Sequence, residues 1–375
     1  MKVPSTIKYI FPTELTEILK RIDAIDPEKY GRTRNFIDGA VTQLSPYISR
    51  GVISTKYIFE KLLDKKYAFE TIEKISQELA WRDYWQLVWI EKGNLIDTDL
   101  KNEQTEVTNH KIAAAITDGT TGIDAIDLAT NEFYNTGYLH NHIRMYIAAI
   151  ACNMGRSHWK LPAQWMYYHL LDGDWASNAL SWQWVAGTNS NKKYVANQEN
   201  INKYCYTNQK NTWIDVPYEM FSEFETPQVL KEIKELELKT ELPQSKNITI
   251  NKTQPTTIYN YYNLDPLWLN DVKANRILLL EPSYFNAYPV SKKVLDFVIS
   301  LSKNIPNIQL FVGEFDELLK YEGLNEIHFK EHPTSNHYQG TMHNRDWMTE
   351  VKGYYPSFFK FWNKAKKELK NRSIN

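Results

Sequence analysis

Residues 170–187 read LLDGDWASNALSWQWVAG. Two acids, Asp172 and Asp174, crowd a turn that runs into a helix. Asn178 lies one turn into that helix and Trp182 one turn further. Acids just ahead of a helix are ordinary N-caps, but they also suit a metal or a flavin. Trp182 and Trp184, separated by a glutamine, are an odd pair for a solvated helix.

Working outward, three earlier stretches share this mixture of charge and aromatic surface. In TGYLHNHIRMYIAAIA (136–151), Asn141, Arg144 and Met145 fall on one helical face while Ile143, Ile147 and Ile150 cover another. Taken alone that is an amphipathic helix with a polar outside. In ELAWRDYW (78–85), Glu78, Trp81, Arg82 and Trp85 are spaced i, i+3, i+4, i+7 and share a face. A carboxylate, a guanidinium and two indoles make a poor core stripe, because burying unpaired charge is costly. The stripe is either an exposed Glu–Arg pair beside a half-buried indole or the lining of a pocket. In RNFIDGAVTQLSPYISRGVIS (34–54), Thr42 and Ser45 flank Leu44 where a helix begins. Hydroxyls at a helix start suit a phosphate, or simply cap the helix.

The chain has 375 residues, 42% of them hydrophobic and 24% charged, as in a folded globular protein. Its 12 Trp, 24 Tyr and 15 Phe are unusually many, and serve equally as core, stacking platforms or redox relays. The net charge of −1 does not announce a nucleic-acid binder, although it leaves room for a local basic patch. Cys152 and Cys205 are too few for a disulfide framework or a four-cysteine metal site. With no apolar leader and no long apolar run, the chain is expected to be cytoplasmic, free of membrane and monomeric. His328, His332, His337 and His343 cluster near the end without acidic or sulfur partners at tight spacing. They read as ordinary histidines, so no metal site is expected.

Periodicity divides the chain into three parts. Residues 1–222 read mainly as helices, including a long one over Thr71–Gly93 and another after the Ser54 cap. Residues 223–274 are polar and β-branched and read as a linker or extended crossover. Residues 275–375 read as a small α/β segment with strands at ILLLEP, IQLFVG and IHFKEHP, closed by a helix at PSFFKFWNKAKKELK.

The strings VTQLSPYISRGVIS, ELAWRDYW, TGYLHNHIRM and LLDGDWASNALSWQWVAG, in this order, resemble the FAD-binding domain of the DNA photolyase/cryptochrome family. The resemblance runs from Tyr30 to Tyr206. The fold class it implies is mainly α, a photolyase-like helical FAD-binding domain followed by the small α/β segment. It implies that Tyr30, Thr42, Leu44 and Ser45 hold the phosphates and ribose of FAD, with Arg82 also against the cofactor. Asn141 and Arg144 would flank the flavin, Arg144 paired with Asp172. Asp174 would bond the ring edge, and Asn178 would face N5 and favour a reduced ring. Glu78, Trp81, Asn141, Met145 and Trp184 match residues that touch a cyclobutane pyrimidine dimer flipped out of DNA. Arg34 matches a DNA phosphate contact. Trp182 and Trp159 match the two inner members of a tryptophan chain that photoreduces the flavin.

The implied activity is light-dependent repair of cyclobutane pyrimidine dimers, with UV-damaged DNA, single- or double-stranded, as partner. A cryptochrome-like blue-light sensor without repair is the alternative. The flavin-type domain begins near Met1, so the usual N-terminal antenna domain is not expected and an antenna chromophore is doubtful. The three strands read near the end are too few to replace that domain. No outermost tryptophan is evident around 106–110, which leaves Trp85, Trp89 or a tyrosine as substitutes. KYVANQENINKYC, ending at Cys205, is similar to the iron–sulfur branch, but the other cluster cysteines are absent and no cluster is expected.

Overall fold

Ser54 caps the helix that the sequence predicts after it: its hydroxyl accepts from the amide of Tyr57 at 3.0 Å, and the helix runs Thr55–Asp64. The computed structural model describes residues 9–244 and 247–374. Five helices carry the argument: α1 (Phe69–Lys92), α2 (Asn141–Ala149), α3 (Lys160–His169), α4 (Trp175–Ala186) and α5 (Phe358–Arg372). The chain forms two compact units that alternate along the sequence. The first is chiefly Glu28–Val41 and Asn94–Leu238, and the second is Phe11–Pro27, Thr42–Gly93 and Lys239–Asn375. Within the second unit the Ser54 helix packs on α1, and α1 on the terminal helix α5.

In the first unit α4 packs against α2 and α3. Asp174 starts α4, its carboxylate accepting from the amide of Ser177 at 2.7 Å, and Gly187 ends it at φ 89°. A single π-turn at Ile150–Met154 carries α2 onward. Gly137 sits at φ 69°, and a Cβ there would come within 2.7 Å of Leu171 Cγ. The close approach lets the Leu171 amide reach the Gly137 carbonyl at 2.8 Å. That bond ties the Asp172 turn to the start of α2.

The second unit holds a parallel sheet of β1 (Thr256–Tyr259), β2 (Asn275–Leu280), β3 (Gln309–Val312), β4 (Ile327–Lys330) and β5 (Thr341–His343), in spatial order β3-β2-β1-β4-β5. All six residues of β2 are buried, as expected for a parallel strand covered on both faces. Ile258, Ile277, Leu279, Phe311, Phe315 and Phe329 form one core cluster of the sheet. Three strands match the sequence expectation, and two correct it. β1 lies in the stretch read as linker: its Thr256 and Thr257 are fully buried, a β-branched signal without an apolar run. β5 is a short edge strand, largely exposed, with no periodicity to find.

Helix α5 presents Phe358, Phe361, Trp362, Ala365 and Leu369 as a buried stripe, and it packs on α1. Ion pairs of Lys366 with Glu73 (2.5 Å) and Lys370 with Glu70 (2.8 Å) flank that contact.

Candidate functional site

The first unit assembles a charged cluster around one loop. Arg144 projects from α2 and donates through Nη2 to Asp172 at 2.8 Å and through Nε to the Leu139 carbonyl at 2.9 Å. The Asp172 side chain is 4% exposed and that of Arg144 24%. Breaking such a pair leaves a buried charge uncompensated, which costs about 3–5 kcal/mol. Asp174, two residues on, is buried, and its Oδ1 accepts the capping bond. Asn178 is buried one turn later, with Nδ2 donating to the Ala163 carbonyl of α3 at 2.8 Å. That bond fixes which way the amide faces and turns its oxygen away from Ala163. The expected Arg144–Asp172 pair is therefore present, with Asp174 and Asn178 on the adjoining turn.

On the outer face of α2, Asn141 is exposed and its amide approaches Met145 Sδ at 3.8 Å, so the two share the face their spacing predicts. At the start of α2 the His140 ring accepts from the His142 amide through Nδ1 at 3.2 Å. Its Nε2 therefore carries the proton that the Arg34 carbonyl accepts at 3.0 Å. Burial, with help from His142, lowers the His140 pKa to about 4, so the ring is neutral. The Arg34 guanidinium donates to the Gly31 carbonyl at 3.1 Å, and the Tyr30 carbonyl accepts from the Arg34 amide.

Trp182 and Trp159 are both sealed, at 2% and 0% exposure. Trp159 donates its indole N–H to Asp99 at 2.7 Å, and Asp99 also faces His158 Nε2 at 3.2 Å. The His110 ring stacks on that of His158 at 4.9 Å. Sequence reading missed Asp99: sixty positions from its indole, it carries no local signal. The neighbouring His-Trp pair at 158–159 is the only sequence hint of polar company for that indole. Trp184 behaves differently, being exposed beside Tyr194 at 5.8 Å.

In the second unit Leu44 is buried and ends the turn in which its amide meets Thr42 Oγ1 at 3.4 Å, and Ser45 opens the short helix Ser45–Ser49. Arg82 donates from α1 to Ser49 Oγ at 2.7 Å. Glu78 pairs with Lys74 at 3.1 Å, both about a third exposed. Trp81 stacks face to face with Phe358 of α5, centroids 3.6 Å apart and planes 9° apart. One face of Trp81 is thus covered by the chain's own terminal helix.

Among the described residues no group of three or more His, Cys, Asp or Glu is placed to hold a metal. His328 and His343 face each other at 3.0 Å, and His337 bonds Glu281 at 2.8 Å. Cys152 and Cys205 are buried thiols, and burial pushes both pKa values up, Cys205 to about 12. No helix among the described residues is long and apolar enough to cross a membrane.

Residues 75–258 match the family described as the FAD binding domain of DNA photolyase. Cryptochrome DASH of Danio rerio is 33% identical over 168 residues, covering 42% of this chain and 32% of the relative. A deoxyribodipyrimidine photo-lyase of Alkalihalophilus pseudofirmus is 28% identical over 154 residues, covering 39% and 31%. This chain therefore spans about a third of the length of these curated relatives. Among solved structures, a Synechocystis cryptochrome superposes with a TM-score of 0.47 at 23% identity, covering 50% of this chain and 42% of that one. Residues 75–258, just under half of the chain, thus carry the sequence of the photolyase/cryptochrome FAD-binding domain.

Proposed function

We propose that this chain holds FAD and, in its reduced form, drives light-dependent splitting of cyclobutane pyrimidine dimers in DNA. The observation that carries the cofactor is the Arg144–Asp172 pair with Asp174 and Asn178 on the next turn. Their chemistry fits an isoalloxazine edge: a guanidinium held by a buried carboxylate, a second carboxylate and an oriented amide. Ser177 Oγ, between those last two, is buried without a hydrogen-bond partner among the described residues, an atom left over for a ligand.

The flavin supplies the light absorption and the electron, while the protein supplies position and electrostatics. Arg144, oriented by Asp172, places a fixed positive charge beside the ring. The Asn178 amide oxygen is an acceptor suited to a protonated N5, which favours reduced forms. Asp174 accepts from the ring edge. Tyr30, Thr42, Leu44, Ser45 and Arg82 serve the phosphates and ribose. Trp182 and Trp159 relay electrons inward, and the Asp99 carboxylate stabilises positive charge on the Trp159 indole. Glu78, Asn141, Met145, Trp81 and Trp184 meet the dimer, and Arg34 meets a DNA phosphate. The test is dimer loss in irradiated oligo(dT) with chemically reduced protein under blue light. Light-dependent loss is expected; none on single- or double-stranded substrate would overturn repair.

One observation favours a second reading, a blue-light sensor without repair. Phe358 of the terminal helix stacks on Trp81, covering one face of the indole that the repair reading assigns to the dimer. Light-minus-dark hydrogen exchange separates the readings, since a sensor requires α5 to change protection and a repair enzyme does not.

A further inference from the structure

The sheet order β3-β2-β1-β4-β5 reverses direction between β1 and β4. In open parallel sheets ligands bind beyond the carboxyl ends of the strands at such a reversal. Here β1 ends at Tyr259 and β4 at Lys330. The residues that follow, among them Asn263 and His332, line a cavity of about 90 Å³ whose remaining wall includes Ser49, Arg82 and Arg345 of the same unit. That space holds several waters or one small anion, because a single water needs only about 10–15 Å³ of such volume.

Two side chains on its wall use their acceptor ends and leave their donor ends over. The His332 ring accepts the Thr334 amide on Nδ1 at 3.2 Å, which puts its proton on Nε2. Asn263 accepts the Asp265 amide on Oδ1 at 3.4 Å. In each side chain the acceptor end is used. The donor ends, His332 Nε2 and Asn263 Nδ2, are buried with no partner among the described residues. A buried donor without an acceptor costs about 1–3 kcal/mol, so two in one cavity call for an occupant rich in acceptors.

The local field sets its sign. Burial first, and then the charges of Arg345, Arg82 and Arg50, hold the His332 pKa well below the ordinary histidine value. The wall's carboxylates have other partners. Asp265 and Asp346 each accept from Lys330 at 2.8 Å. Asp83 accepts from Thr55 and from the Met348 amide, and burial raises its pKa to about 6. Glu331 accepts from the Arg345 amide and the Trp347 indole, each at 3.4 Å.

We propose that this cavity binds one phosphate-sized oxyanion, received by His332 Nε2 and Asn263 Nδ2 and neutralised by Arg345 and Arg82. Because Arg82 also carries a role in the flavin reading, the test rests on His332 and Asn263. Inorganic phosphate is titrated calorimetrically into the full chain, with and without FAD loaded. Two variants preserve the local turns. His332→Asn keeps an acceptor for the Thr334 amide and removes the distal donor; Asn263→Asp keeps Oδ1 and replaces the donor with charge.

Saturable one-site binding is expected, weakened about tenfold or more in each variant, as loss of a charge-assisted hydrogen bond implies. Phosphate should also raise the melting temperature of the unaltered chain and not of the variants, whose phosphate-free circular dichroism stays unchanged. Absence of saturable binding, equal binding in both variants, or loss of phosphate binding once FAD is loaded would each overturn the proposal. The last result would assign the cavity to the phosphates of the dinucleotide.

Discussion

In the first unit Trp159 and Trp182 are sealed, and Trp159 has its indole N–H fixed on a carboxylate. In the second unit Trp81 offers its face, and the chain's own Phe358 lies on it. The same residue type is used in two ways. An indole that passes an electron needs a rigid, dry position and a partner for its N–H. An indole that recognises a base needs an open face. On the proposed reading, the acid, guanidinium and amide of the first unit would receive a flavin, whereas the indole face proposed for the dimer is engaged within the chain.

The largest expected effect comes from breaking the ready side. Arg144→Ala leaves Asp172 buried without its guanidinium and should cost about 3–5 kcal/mol in urea unfolding. The same variant should purify without flavin. Full stability with retained flavin would show that the pair is incidental.

Next is the covered side. Phe358→Ala removes a buried ring and should cost about 3 kcal/mol, yet expose Trp81. Affinity for dimer-containing oligo(dT), followed by tryptophan fluorescence, should rise. If it falls, Phe358 supports the recognition surface instead of covering it.

Acid titration sharpens the contrast, because each unit buries a group whose shifted pKa falls between about 4 and 6. His140 in the first unit titrates near pH 4 instead of 6.5, so its folded pKa is depressed. Its stabilising contribution is complete above pH 6.5 and is lost as pH falls toward 4. Asp83 in the second unit titrates near pH 6 instead of 3.8, so folding favours its protonated form. Its contribution is complete below pH 3.8 and is lost as pH rises to 6. Each amounts to roughly 3 kcal/mol. Stability profiles of His140→Gln and Asp83→Asn should therefore change slope in opposite directions across pH 4–6. Identical slopes would contradict the burial assigned to one of them.

The smallest stability change is expected at Glu78. Its pair with Lys74 is about a third exposed, and such pairs contribute at most about 0.5 kcal/mol. Glu78→Ala should barely move the melting temperature while lowering the quantum yield of dimer splitting. An unchanged yield removes Glu78 from the chemistry.

Much of this was legible in the sequence where the signal is local. The Ser54 cap, the long helix over 69–92 and the apolar runs of β2, β3 and β4 follow from propensity and spacing. The Arg144–Asp172 pair was reachable only through the resemblance, since the residues lie on separate elements joined by the close approach at Gly137. What stayed hidden depends on distant chain. β1 has no apolar run and is a strand because both neighbours pair with it. Asp99 meets Trp159 across sixty residues. Phe358 looks like one more apolar residue of an amphipathic helix until α5 is laid on α1. The interleaving of the two units has no signature at all, because no break in composition marks residues 41–42 or 93–94.

The central claim is that the loop and helix carrying Arg144, Asp172, Asp174 and Asn178 hold a flavin. The visible absorption spectrum of the purified chain, taken beside that of Arg144→Ala, tests it most directly. Flavin bands at near-stoichiometric strength in the first and their loss in the second are the expected result. A colourless protein that takes up no added FAD would contradict the account.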